Sequence, residues 1–144
     1  MLVKQILAGK AKGGVLTINP NARVADAVAE LAARRIGALV VSADGRSVEG
    51  ILSERDVVRE IGRQGAHVLT ERVRALMTRE VETATPGDTA QSILERMTEG
   101  RFRHMPVAQD GALIGLVSLG DVVKARLSEV SMERDTLEAM VAGY

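Results

Sequence analysis

One sequence pattern occurs twice in this chain. Residues 15–61 align with 81–126 at an offset of 66, which drops to 65 after a one-residue deletion near position 47. Twelve positions are then identical, among them Val15 and Val81, Thr17 and Thr83, Pro20 and Pro86, Arg35 and Arg101, and Val41 and Val107. Asp44-Gly45 meets Asp110-Gly111, Gly50 meets Gly115, Ser53 meets Ser118, and Asp56-Val57-Val58 meets Asp121-Val122-Val123. A unit of about 45 residues buries too little surface to be stable alone, so two of them should pack as one pseudo-two-fold body.

Hydrophobic periodicity repeats with the identities. Val24, Ala27, Val28 and Leu31 lie at helical spacing, as do Ala90, Ile93, Leu94 and Met97. Asp88 and Gln91 have the spacing of a capping box, while the first repeat has Ala22 at the matching position and would need Asn21 as its cap. Strand-forming runs follow at 38–41 and 105–107, then an Asp-Gly hairpin signal, then second strands at 49–52 and 114–117. Amphipathic helices close the units over about 54–61 and 119–127. With short leading strands at 16–18 and 82–84, each unit reads β-α-β-β-α, and the fold class is α/β (α+β) with the two sheets packed together. The expected layout is a lead-in helix and loop over 1–14, repeat 1 over 15–66, a linker helix within 67–80, repeat 2 over 81–128 and a helical tail over 129–144. In the tail, Met132, Leu137 and Met140 are available for docking, and Gly9–Gly14 reads as a loop.

Composition excludes several functions. Nineteen Lys+Arg balance nineteen Asp+Glu, so no net field draws the molecule to nucleic acid or an anionic membrane. The aromatics are Phe102 and Tyr144 alone, too few to stack single-stranded bases. The absence of cysteine removes disulfides, thiolate nucleophiles and thiolate metal sites, and fits a cytoplasmic setting. No apolar run approaches the roughly 20 residues of a membrane span. His67 and His104 have no companions at metal spacing, and no metal site is expected. No acid–histidine–nucleophile set or phosphate-binding loop is present, so an enzyme is the weaker reading.

The recurring junction is Gly-hydrophobic-hydrophobic-Ser-x-x-Asp, at 50–56 and 115–121, where a strand hands over to a helix. Unpaired N–H groups and the positive end of the helix dipole suit a phosphate there. A carboxylate one turn along can accept both hydroxyls of a ribose. The same spacing is that of a helix cap, in which Asp56 and Asp121 satisfy only their own backbone. Both readings stand at the level of the motif.

The doubled β-α-β-β-α pattern, the two junctions and Arg103-His104-Met105-Pro106-Val107 together resemble a tandem pair of CBS domains (cystathionine β-synthase domains), over about residues 15–127. The resemblance implies two clefts related by a pseudo-two-fold axis. Members bind adenosine-containing ligands such as AMP, ADP, ATP, S-adenosylmethionine or NAD(H), and pairs commonly assemble into disc-like homodimers. Carried onto this chain, it implies that Asp56 and Asp121 hold ribose hydroxyls, with Ser53 and Ser118 beside the sugar or phosphate. Thr17 and Thr83 would approach the base. Gly37-Ala38 and Arg103-His104-Met105, followed by Pro106, begin strands whose backbone meets the adenine edge. Arg55, Arg103 and His104 are phosphate candidates, and Gly120 permits close backbone approach. Replacement of Arg55 by Gly120, Gly37-Ala38 by Arg103-His104 and Val40 by Pro106 implies unequal clefts. The expected function is a stand-alone sensor that reports nucleotide occupancy to a protein effector, without catalysis; the alternative is an interaction dimer with no ligand.

Overall fold

The structure, a computed structural model, describes residues 1–10 and 14–143; part of the expected 9–14 loop, and Tyr144, lie outside the described residues. The chain runs α1 (Val3–Ala8), β1 (Thr17–Ile18), α2 (Val24–Arg34), β2 (Ala38–Val41), β3 (Gly50–Ser53) and α3 (Glu54–Gln64). A 3₁₀ turn (Ala66–Thr70) and α4 (Val73–Leu76) lead to α5 (Ala90–Gly100), β4 (His104–Gln109), β5 (Ala112–Ser118) and α6 (Leu119–Val141).

Strand β1 pairs parallel with β2, and β2 antiparallel with β3, in the order β1-β2-β3. In the second repeat β4 and β5 form an antiparallel pair, and the expected leading strand is reduced to a bridge between Ala84 and Val107. That bridge repeats the pairing of Ile18 with Val41. The Asp-Gly signals part ways. Asp110 and Gly111 both take positive φ (53° and 79°), the conformation of a two-residue hairpin turn between β4 and β5. In the first repeat residues 42–49 intervene between β2 and β3. There Asp44 Oδ1 instead accepts the N–H groups of Arg46 and Ser47 and the hydroxyls of Ser42 and Ser47, organising a longer loop.

Helices α2 and α5 are built as their periodicity indicates, burying Val24, Ala27 and Leu31, and Ala90, Ile93 and Met97. Their caps differ from expectation. Thr89 caps α5 through the Ser92 N–H, while Asp88 accepts the N–H of Thr85 in the preceding turn. Helix α2 has no side-chain cap; the Val24 N–H bonds the Glu71 carbonyl. At the other end, Arg35 and Arg101 both stop their helices in the left-handed conformation (φ 53° and 55°), which explains an identity that periodicity left without a role.

The core forms two clusters, and short segments from outside the 45-residue units complete both. Val68, Val73 and Leu76 enter the cluster of Val24, Leu31, Leu39, Val41 and Leu52. Val3 and Ile6 of α1 enter the other, with Ile93, Met97, Met105, Val107, Val117 and Val122. Equivalent hydrogen bonds seat them: Val3 N–H to Asp88 O and Lys4 N–H to Pro86 O, against Val73 N–H to Ala22 O and Arg74 N–H to Pro20 O. Val3-x-x-Ile6-Leu7 matches Val73-x-x-Leu76-Met77 at an offset of 70, so the duplication reaches further than the alignment from residue 15. The glycines shared by the two repeats, Gly50 and Gly115, follow from this packing. A Cβ on Gly50 would lie 2.7 Å from the Thr78 carbonyl and 2.8 Å from Met77 Sδ; one on Gly115 would meet Leu7 at 2.6 Å.

Candidate functional site

Each strand-to-helix junction is a reciprocal cap. Ser53 Oγ accepts the Asp56 N–H (3.2 Å), and Asp56 Oδ2 accepts the Ser53 N–H and hydroxyl (2.9 Å each). Ser118 Oγ accepts the Asp121 N–H (3.1 Å), and Asp121 Oδ2 accepts the Ser118 N–H (2.8 Å). The strand openings meet these helix starts through backbone. Gly37 O accepts the Glu54 N–H at 2.9 Å, and Arg103 O accepts the Leu119 N–H at 2.7 Å. Two first-turn N–H groups of each helix are thereby taken up, those of Glu54 and Asp56 and those of Leu119 and Asp121, and both aspartates serve as caps.

The carboxylates differ in what remains free. Asp56 is buried, and its Oδ1 receives Arg59 at 3.0 Å, so both oxygens are engaged. Among the described residues, Asp121 Oδ1 has no protein hydrogen-bond partner, while Oδ2 also receives the Lys10 ammonium at 2.8 Å. Burial by itself would raise the Asp121 carboxyl. The Lys10 hydrogen bond, the Ser118 N–H and the nearby ammonium charge outweigh burial and hold it below the usual carboxylate range.

Two clefts open between the repeats. The first, about 680 Å³, has apolar walls from Val15, Leu16, Ile36, Ala38, Ile114 and Leu116 and is bordered by Lys10, Arg35 and Ser118. Lys10 reaches across to the Leu116 carbonyl (2.8 Å) and Asp121. The second, about 920 Å³, has Ile51, Val58, Val81 and Phe102 as apolar wall, and both charge signs in Glu54, Arg55, Asp56, Arg59, Glu80, Glu82, Arg101 and Arg103.

The grouping of residues crosses between repeats. The first cleft takes Gly37 and Ala38 from repeat 1 but Ser118 from repeat 2; the second takes Ser53, Arg55 and Asp56 from repeat 1 but Arg103 from repeat 2. Opposed sheets place the strand opening of one repeat against the junction of the other, a consequence that alignment of the repeats onto each other conceals. Gly37 and His104 border both clefts, and a Cβ on Gly37 would stand 3.2 Å from the His104 ring. Burial depresses the His104 imidazole; Glu54 and Asp121 pull it up, and Lys10 and Arg103 push it further down.

Thr17, Thr83, Met105, Pro106, Gly120 and Asp121 are not among the lining residues of either cleft. Thr17 pairs with Val40, and Thr83 is exposed. Met105 faces the second core, and Pro106 presents its carbonyl to the Ala84 N–H. Asp121 stands one turn beyond Ser118 and connects to the first cleft through Lys10. Lys10, Arg35 and Glu54 were missed as cleft residues. Arg35 carried a signal, its identity with Arg101; Lys10 carried none, because it lies outside the stretch over which the repeats align by identity and its counterpart at the offset of 70 is Glu80.

Among the described residues, no helix is long and apolar enough to cross a membrane. Comparison with known proteins agrees with the duplicated architecture. The chain is 35% identical, over 98% of its length and 72% of the relative's, to the mitochondrial CBS domain-containing protein CBSX3 of Arabidopsis thaliana. The crystal structure of the CBS-domain containing protein ATU1752 from Agrobacterium tumefaciens matches with 43% identity and a TM-score of 0.82, covering 88% of this chain and 99% of that one. A structure of CBSX2 in complex with AMP matches with 26% identity and a TM-score of 0.66, covering 79% and 88%. The CBS domain family profile matches residues 4–63 and 73–128, and the chain belongs to that family as a tandem pair.

Proposed function

We propose that this CBS pair is a regulatory module that binds an adenosine-containing ligand, with the first cleft as its principal site. The observation that carries the reading is the local chemistry at the start of α6. An ionised Asp121 keeps one oxygen free for a ribose hydroxyl, a lysine ammonium lies beside it, and that lysine borders an apolar-walled cleft of about 680 Å³. The AMP complex of CBSX2 supports the same ligand class. The second cleft is the weaker site, since Arg59 occupies the remaining oxygen of Asp56 and the cleft's own acids oppose a phosphate.

On this reading Lys10 exchanges its contact with Leu116 O for a phosphate, and Ser118 meets the sugar. Ser53, Arg55, Asp56 and Arg103 act in the second cleft, and Thr17, Thr83, Met105, Pro106 and Gly120, which line neither cleft, make no direct ligand contact. Occupancy is transmitted only insofar as the ligand prefers one arrangement of the repeats, and a homodimer or protein effector reads that difference. The role is regulatory rather than catalytic, in a cytoplasmic setting.

Calorimetry on protein stripped of nucleotide tests this with AMP, ATP and NADH. We expect saturable binding of at least one, weakened tenfold or more by Asp121→Ala and less by Asp56→Ala. No saturable binding of any adenosine compound overturns the reading.

A further inference from the structure

Four arginines gather on the turn ahead of α2 and on the segment over 70–79. The two stretches run side by side: the backbones of Arg23 and Arg72 pair in an antiparallel bridge, and the Arg74 N–H bonds the Pro20 carbonyl at 3.0 Å. One nitrogen of each guanidinium is tied down locally. Arg23 Nη1 donates to the Thr70 carbonyl (2.7 Å), Arg72 Nη1 to the Asn21 carbonyl (2.9 Å), Arg74 Nη2 to Asn21 Oδ1, and Arg79 Nη2 to the Arg74 carbonyl (3.2 Å). All four residues are exposed, and among the described residues none of them forms an ion pair. Of the acids nearest in sequence, Asp26 sits in the first turn of α2, Glu71 faces His67 at 3.7 Å, and Glu80 lines the second cleft. The fold does not require this charge. Repeat 2 has Thr89, Leu2, Lys4 and Gly9 at the corresponding positions, where an equivalent bridge and equivalent backbone hydrogen bonds close the turn around a single cation.

We propose that this four-arginine surface docks a carboxylate-rich segment of a partner protein. With one nitrogen tied, each guanidinium keeps two for a ligand. In Arg23 and Arg72 these form the Nε–Nη2 edge, which matches the two oxygens of a carboxylate. The local bonds also remove part of the rotamer freedom that a loose arginine would lose on binding. Other anionic partners fit less well. A single nucleic acid strand finds no aromatic here to stack on, and a duplex finds four cations on a chain of zero net charge. A lipid surface finds no large apolar side chain to take up. Those that are exposed stand at Met1, Val58, Ile114 and along α6, which continues as one rod past the second repeat, where a separate tail was expected. The surface adjoins the second cleft, since Arg79 lies between Thr78 and Glu80 of its wall, but none of the four arginines lines either cleft. The proposal therefore stands or falls independently of the ligand reading.

Fluorescence anisotropy of a labelled octaglutamate peptide on the full chain, in about 0.15 M salt, tests the surface. Saturable binding is expected, weakened at least tenfold by Arg72→Glu with Arg74→Glu while far-UV circular dichroism is unchanged. Arg79→Glu leaves both Asn21 bonds in place and should weaken binding at least threefold, which guards against a folding defect in the double variant. Arg34→Glu with Arg134→Glu makes the same change in net charge away from the surface and should weaken it less than threefold. The proposal is overturned by absence of binding, by indifference to Arg79→Glu, or by equal weakening from the Arg34 and Arg134 reversal. It is also overturned if oligothymidine or anionic vesicles bind the surface more tightly than the peptide, or if the Arg72 and Arg74 reversal abolishes self-association.

Discussion

Removing the Asp56 carboxylate tests whether the two junction aspartates, identical in the repeat, are energetically equivalent. In Asp56→Ala the Ser53 N–H loses its acceptor in a half-buried position, a loss of about 1–3 kcal/mol for an unsatisfied donor. The Ser53 hydroxyl can rotate toward water and adds little. Arg59 is more than half exposed, so its ion pair contributes under about 1 kcal/mol after solvent screening. The expected loss is about 2–3 kcal/mol. An unfolding entropy near 2.1 cal/mol/K per residue over 144 residues makes 1 °C worth roughly 0.3 kcal/mol, so Tm should fall by about 7–10 °C. Asp121→Ala removes a similar cap at a more open site, with a Lys10 pair that solvent screens, and should cost about 1–2 kcal/mol, or about 3–7 °C. Calorimetric melting of ligand-free protein measures both. A drop below about 2 °C for Asp56→Ala, or a larger drop for Asp121→Ala, refutes the assignment of Asp56 to structure and Asp121 to the ligand.

Gly50→Ala should cost about 2–3 kcal/mol by urea denaturation because its Cβ meets a backbone carbonyl, whereas Gly115→Ala meets a flexible leucine and should cost about 1 kcal/mol. Arg101→Gly relieves a left-handed side-chain residue and should leave Tm unchanged or raise it by about 1–2 °C, while reducing anion affinity in the second cleft. His104 is depressed below 6.5 by burial, so as pH falls the unfolded chain takes its proton first. Its contribution should be full above about pH 6.5, decline as pH drops toward the folded value and level off below that; His104→Asn should abolish the step in a series of urea midpoints. The depressed Asp121 carboxyl has its own window: stability held above the ordinary carboxylate value of 3.8 and lost as pH falls through the folded value, a loss that Asp121→Asn should remove.

The duplicated architecture, the helices at 24–34 and 90–100 and the two strand-to-helix junctions were legible in sequence. Each depends on residues close together in the chain: apolar spacing, an Asp-Gly pair, a Ser three residues before an Asp. The same local code could not separate cap from ligand site, and the structure shows Asp56 and Asp121 capping with unequal freedom. The first Asp-Gly does lie in a hairpin, between β2 and β3, but in a longer loop than a two-residue turn. Asp44 spends its carboxylate on four local donors, and the register that pairs Val41 with Gly50 leaves residues 42–49 for that loop to close.

Sequence alone determined the repeat, because duplicated residues impose duplicated elements whatever surrounds them. Tertiary structure decided which repeat each helical outlier completes, that the clefts combine the strand opening of one half with the junction of the other, and that Lys10 reaches Asp121 across a separation of 111 residues. Those outcomes depend on how two similar bodies face each other. Contacts between them follow from surface shape and charge, which pattern within either repeat does not encode.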